Sequence, residues 1–172
     1  DAMNDFSVFS PEYIKKADVL QFVSQPDAKY FTLTKENEVQ LRQKYKIKDE
    51  FFYMPNQFWK HKNHMVVFEA VKMLVDDGEP ICLVCTGYLQ DYRNKNHINK
   101  ILDFIKTNKL EDNIKLLGLI DYEDVFGLIK FSKAVINPSL FEGWSSTVEE
   151  CKSVEKGMIL SDLAVHKEQY PT

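Results

Sequence analysis

The residues best placed for chemistry lie in one short run, Phe141-Glu142-Gly143-Trp144-Ser145-Ser146-Thr147-Val148-Glu149-Glu150. A glycine-containing loop here follows an apolar strand-like segment and leads directly into a helix. Ser146 and Glu149 have the spacing of a capping box, which predicts Ser146 at the N-cap and Glu149 at the third helical position. The first N–H groups of such a helix have no partner within it and point outward with the positive end of the helix dipole. With Ser145 and Thr147 beside them and Gly143 allowing close backbone approach, they form an anion site suited to a diphosphate. Glu142 and Glu150 flank the site, and each carboxylate could accept hydrogen bonds from two adjacent sugar hydroxyls. From spacing alone, Glu150 reads equally well as a solvated helix residue and Glu142 as a loop charge.

Residues 51–54, 81–86, 113–117, 134–137 and 158–161 are short apolar runs, and amphipathic segments of helical period over 63–75, 95–108 and 122–131 separate them. This alternation predicts an α/β fold, a Rossmann-like parallel sheet with helices on both faces. The first fifty residues break the pattern, with a helix entry at 11–16, a strand at 19–23 and a polar helix over 36–45, and they read as a connecting region. No closing helix is evident after the fifth strand.

Composition bounds the function. The 172 residues are 44% hydrophobic and 28% charged, which is ordinary for one globular core. A formal charge of −4 gives no basic field, which argues against a nucleic-acid partner. Neither a membrane-spanning run nor a signal sequence is apparent, so a cytoplasmic location is expected. Cys82 and Cys85 fall three residues apart on one strand and therefore on opposite faces, so with Cys151 they read as reduced core thiols. His61 and His64 lack a third ligand at a suitable spacing, and no metal is expected. His166 reads as a surface histidine, and Trp59, Trp144 and Phe141 as packing and loop anchors.

The run 142–150 resembles the E-x7-E signature of the retaining group 1 (family 4) glycosyltransferases with the GT-B fold. Further segments match in order: NQFWKHKNH from Asn56, Leu117-Gly118, Asn137-Pro138-Ser139, Ser161-Asp162 and His166-Lys167-Glu168. The resemblance runs from about Phe51 to the end of the sequence. It implies that Glu142 contacts the donor sugar, that Glu150 contacts the ribose, and that the helix start holds the diphosphate. Family members usually carry an arginine and, five residues on, a lysine for the donor phosphates. Lys62 stands at the lysine position, while Gln57 replaces the arginine, which leaves one cation fewer and an amide donor in its place. Gly87 is implied at the rim, and the resemblance implies that the Gly118–Ile120 loop cradles the base with Ile120 as the apolar contact, although by itself the loop also reads as a βα turn needing a glycine.

The resemblance further implies transfer from a nucleotide-diphosphate sugar to a hydroxyl acceptor with retention. The acceptor would be a glycan, a lipid-linked molecule or another glycoconjugate, and neither cofactor nor metal is implied. Such a protein could sit peripherally at the inner face of the membrane. Residues 1–50 would be the end of a facing N-terminal domain and its linker, and 51–172 the donor-binding domain, truncated at its C-terminus and inactive without its other half. A non-catalytic nucleotide- or phosphate-binding module and a nucleotide-sugar epimerase of the same fold are the alternatives.

Overall fold

A computed structural model describes residues 2–94 and 96–171. Five strands, β1 (Phe52–Pro55), β2 (Leu83–Thr86), β3 (Ile114–Leu116), β4 (Val135–Asn137) and β5 (Met158–Leu160), form one sheet in the order β3-β2-β1-β4-β5. Every pairing is parallel, with Phe52 opposite Leu83, Leu83 opposite Ile114, Tyr53 opposite Val135 and Val135 opposite Met158. All four residues of β2 are buried, as a strand covered on both faces requires.

Seven α-helices accompany the sheet among the described residues: α1 (Ala2–Phe9), α2 (Lys35–Tyr45), α3 (His64–Asp76), α4 (His97–Thr107), α5 (Tyr122–Phe131), α6 (Ser146–Ser153) and α7 (Ala164–Gln169). Lys95, where the sequence suggests α4 begins, lies outside the described residues, as do Asp1 and Thr172. The side chains of β1 and β2 alternate between two cores. Met54, Leu83 and Cys85 meet Val67, Phe68 and Val71 of α3 and Ile101 and Ile105 of α4. Tyr53, Cys82 and Val84 meet Leu128 and Ile129 of α5, Cys151 of α6 and Leu41 of α2. Cys82 and Cys85 therefore face opposite sides, and all three cysteines are free and buried. Truncating a fully buried side chain such as Phe68 costs about 3–5 kcal/mol.

Two readings of the sequence are corrected here. Residues 17–27 contain no strand. Their apolar side chains are exposed, Leu20 at 97%, so burial supplies no drive to order them as a strand. Instead the segment is tied to the far end of the chain, with Gln21 Nε2 donating to Glu168 Oε1 at 2.9 Å. Second, the chain does continue into a helix after β5. The six-residue α7 is too short to show helical periodicity, and its buried positions are His166 and Gln169, both polar.

The chain winds outward from β1 to β2 and β3, then crosses back through α5 to set β4 on the other side of β1. The winding reverses between β1 and β4. In an open parallel sheet this reversal opens a crevice beyond the carboxyl ends of those two strands.

Candidate functional site

A crevice of about 240 Å³ opens at that reversal. Asn56, Gln57 and Lys62 line it from the loop after β1; Glu142, Ser146 and Thr147 line it from the loop after β4 and the start of α6; Trp59 and Trp144 complete the walls. Two of the larger hollows lie elsewhere. One, of about 490 Å³, separates the 29–44 segment from α5. Its lysines are already paired, Lys29 with Glu123 and Lys44 with Asp124. The other, of about 480 Å³, is apolar and runs between α3 and β5.

The two loops are stitched by one side-chain and one backbone hydrogen bond. Asn63 Nδ2 donates to Pro138 O at 3.2 Å, and Leu140 N to His61 O at 2.8 Å. Asn63, at φ 57°, turns the chain from the short 3₁₀ turn Lys60–Lys62 into α3. Lys62 is thereby carried to Glu142, with Nζ to Oε1 at 2.6 Å, and both side chains are largely buried at 15% and 8% exposure. Ser139 Oγ lies 2.7 Å from the same carboxylate oxygen. Burial pushes the Glu142 carboxyl up, but the Lys62 ammonium and the Ser139 hydroxyl outweigh it, and the net direction is downward.

The start of α6 differs by one residue from the sequence reading. Ser145, not Ser146, is the N-cap, its hydroxyl accepting from Val148 N at 3.4 Å, and Ser146 is the first helical residue. Long-range contacts choose between the two serines. The Asn137 amide donates to Ser145 Oγ at 3.1 Å, and Gln169 from α7 grips the Ser145 backbone, accepting from its N at 2.9 Å and donating to its O at 3.0 Å. Gln169 also donates to Glu149 Oε1 at 2.9 Å, which with Lys152 occupies the carboxylate a capping box would have used. The N–H groups of Val148 and Glu149 are taken by Ser145. Those of Ser146 and Thr147 have no partner among the described residues, and both residues line the crevice.

Glu150 lies one turn into α6, where it accepts from the Tyr122 hydroxyl at 3.1 Å. Burial raises its carboxyl pKa, with the Tyr122 hydrogen bond pulling the other way. Tyr122 is itself pushed up to about 12, by burial first and then by the Glu150 charge.

Gln57 uses its carbonyl oxygen to accept from Tyr88 N at 2.8 Å. Gly87, at φ +133°, sits so close to the β1 loop that a Cβ would meet Asn56 O at 2.4 Å, and its N–H donates to Gly118 O at 2.9 Å. Gly118 needs its own φ of +69°. A Cβ at Gly143 would meet nothing within 4 Å, so no protein neighbour demands glycine there. Ile120 packs partly buried against the α5-side core.

The structure thus gathers Gln57, Lys62, Glu142, Ser145, Ser146 and Thr147 at one crevice. Gly87 lies behind Asn56, Glu150 one turn deeper, and Gly118 and Ile120 on the next loop. Asn56, Asn137 and Ser139 join the polar network, Asn56 Nδ2 donating to Asn137 Oδ1 at 3.3 Å. Their signal in the sequence is an asparagine closing each of the two strands that flank the reversal. Nothing local marks Tyr122 or Gln169.

The histidines serve the fold. His64 is fully buried and stacked on Phe58 at 4.1 Å, and burial drives its pKa down to about 3. His166 is 2% exposed, not a surface residue, with Nδ1 2.9 Å from Ser161 O. Among the described residues no three His, Cys, Asp or Glu side chains are grouped to hold a metal, and no helix is long and apolar enough to cross a membrane.

Comparison with known proteins gives these features a context. Residues 37–170 match the family described as Glycosyl transferases group 1. No curated protein matches the sequence. Among solved structures, a glycosyltransferase from Rickettsia africae is 20% identical with a TM-score of 0.80, over 99% of this chain and 45% of that one. HepE of Anabaena, solved with UDP and glucose, is 15% identical with a TM-score of 0.74, over 88% and 41%. The C-terminal domain of the group 1 protein LpcC from Francisella tularensis is 19% identical with a TM-score of 0.62, over 79% and 70%. The chain spans less than half the length of the first two.

Proposed function

The chain belongs to the group 1 glycosyl transferases, and from that premise we propose that it forms the donor-binding part of an enzyme that moves a sugar from a nucleotide-diphosphate sugar to a hydroxyl acceptor with retention at the anomeric carbon. The observation that carries this reading is the convergence of Lys62, Glu142 and the open N–H groups of Ser146 and Thr147 on one crevice at the reversal of the sheet. A diphosphate seated at the helix start meets those two N–H groups, the helix dipole and the Lys62 ammonium. As the bond from the anomeric carbon to the phosphate oxygen breaks, its electron pair leaves with the diphosphate. The same groups then stabilise charge that grows toward the transition state. The acceptor oxygen bonds to the carbon on the face just vacated, and its proton passes to the departing phosphate.

Glu142 orients the donor sugar and Glu150 the ribose hydroxyls. Gln57, its carbonyl engaged by Tyr88, offers its amide N–H groups to a phosphate oxygen, and Gly87, Gly118 and Ile120 shape the base side. Gly143 and Ser145 hold the loop and helix start around the phosphates. HepE was solved with UDP and glucose, and a similar donor is the first to try here. The acceptor, a glycan, lipid-linked or other hydroxyl compound of glycoconjugate synthesis, is presented by a facing domain. The protein works in the cytoplasm, at the inner face of the membrane.

The test is calorimetric titration of the chain with uridine, guanosine and thymidine diphosphates and their sugars, beside Glu150→Ala and Lys62→Ala. Saturable binding of one nucleotide, lost in both variants, is expected. Binding that both variants leave unchanged would reject the site.

A further inference from the structure

The crevice has a charge deficit for the ligand assigned to it. Its lining holds one cation, Lys62, already joined to one anion, Glu142, and Gln57 beside them is neutral. A diphosphate carries more than one negative charge, and fixed sites for such groups are built with cations in rigid geometry.

A second cation stands just outside this lining, against one of its walls. The Arg93 guanidinium carbon lies 4.9 Å from the ring centroid of Trp59, a wall of the crevice. Asp91, buried at 4% exposure, fixes its position. One carboxylate oxygen accepts from Arg93 N at 3.0 Å and from Arg93 Nε at 3.4 Å, and the other accepts from Lys60 N at 3.0 Å. One carboxylate therefore binds the loop bearing Arg93 to the turn that presents Lys62. The Arg93 side chain remains 48% exposed, and its two Nη groups have no hydrogen-bond partner among the described residues. The His61 ring, 5.6 Å from that of Trp59, has its pKa lowered by burial and then by the nearby Lys62 and Arg93 charges.

We propose that Arg93 is a second phosphate-binding residue of the crevice, donating through its free Nη groups to the diphosphate of the nucleotide donor, and that Asp91 is its positioning residue. This rests on the donor-site reading above. It gives Arg93 the charge that Gln57 lacks, delivered from the β2–α4 loop. Stacking on Trp59 alone would make Arg93 a loop anchor, indifferent to the charge of the ligand, and that difference can be measured.

Uridine diphosphate, inorganic pyrophosphate and uridine are titrated into the unmodified chain, Arg93→Gln, Arg93→Lys and Lys62→Ala, with circular dichroism to verify folding. Arg93→Gln is expected to weaken uridine diphosphate and pyrophosphate by about tenfold, leave uridine unchanged and flatten the salt dependence of diphosphate binding, with Arg93→Lys recovering part of the loss. If Lys62→Ala weakens uridine diphosphate while Arg93→Gln does not, the donor site stands and the role given to Arg93 is wrong. Equal weakening of uridine and its diphosphate also overturns that role, since it marks a packing effect through Trp59. If neither diphosphate nor pyrophosphate binds the unmodified chain, the donor-site reading falls and this inference falls with it.

Discussion

Replacing Lys62 with methionine keeps the length of the side chain and removes its charge, leaving the Glu142 carboxylate buried with the neutral Ser139 hydroxyl and Asn137 side chain beside it. At 2.6 Å and an effective dielectric near 20, Coulomb's law gives roughly 6 kcal/mol of attraction, and desolvation of the two ions takes back several of these. A net coupling of about 2 kcal/mol remains. Because the folded-state pKa of Glu142 is depressed, its contribution to stability is present above the ordinary carboxylate range and is lost as the pH falls through the folded value. Without Lys62, burial dominates, the carboxyl moves upward, and Glu142 destabilises the variant at neutral pH. Urea unfolding should therefore show Lys62→Met about 2 kcal/mol less stable at pH 7, with the deficit narrowing toward pH 4. Lys62→Met combined with Glu142→Gln should regain most of the loss. A single variant as stable as the parent at pH 7, or a double variant whose losses simply add, would refute the assignment of a coupled pair.

Other perturbations reach separate parts of the site. Gly87→Ala sets a Cβ 2.4 Å from Asn56 O at a φ of +133°, so thermal unfolding should show a loss of about 2–4 kcal/mol, with weaker nucleotide binding as the β1 loop shifts. Glu150→Gln removes a carboxyl whose pKa burial has raised. That group favours the fold below the ordinary carboxylate range and opposes it once ionised, so the variant should be more stable than the parent at neutral pH, lose that advantage on acidification, and bind no nucleotide. Ser145→Ala deletes the cap of α6 and the acceptor of the Asn137 amide, and chemical denaturation should register a cost of about 1–2 kcal/mol.

The parallel sheet was legible because buried parallel strands need apolar residues on both faces, and runs such as 81–86 leave little else to predict. Lys62 and Glu142 could be named only through the resemblance of the segments 56–64 and 142–150 to the family's motifs, since by residue type alone each reads as a loop charge. Their contact could not, because it depends on Asn63 and Leu140 stitching loops some eighty residues apart. The N-cap slipped by one residue because Ser145 and Ser146 are locally equivalent, and Asn137 and Gln169 break the tie from a distance. Residues 19–23 have the composition of a strand but none of the burial. His166 looked like a surface residue because nothing in its neighbourhood announces that α7 folds it inward. The local signals found the strands, the glycines and the charged candidates; side chains that act across the chain left none.

The sequence contains two tryptophans, and Trp59 and Trp144 both stand in the walls of the crevice. The indole of Trp59 lies under the Arg93 guanidinium, and that of Trp144 donates to Phe22 O at 3.1 Å in the segment that precedes the sheet. All of the chain's indole fluorescence thus originates at this one place, with no background from the cores on either side of the sheet. The unmodified protein carries its own optical label, one indole beside the 88–93 loop and the other against residue 22, so that occupancy of the crevice can be followed by light alone.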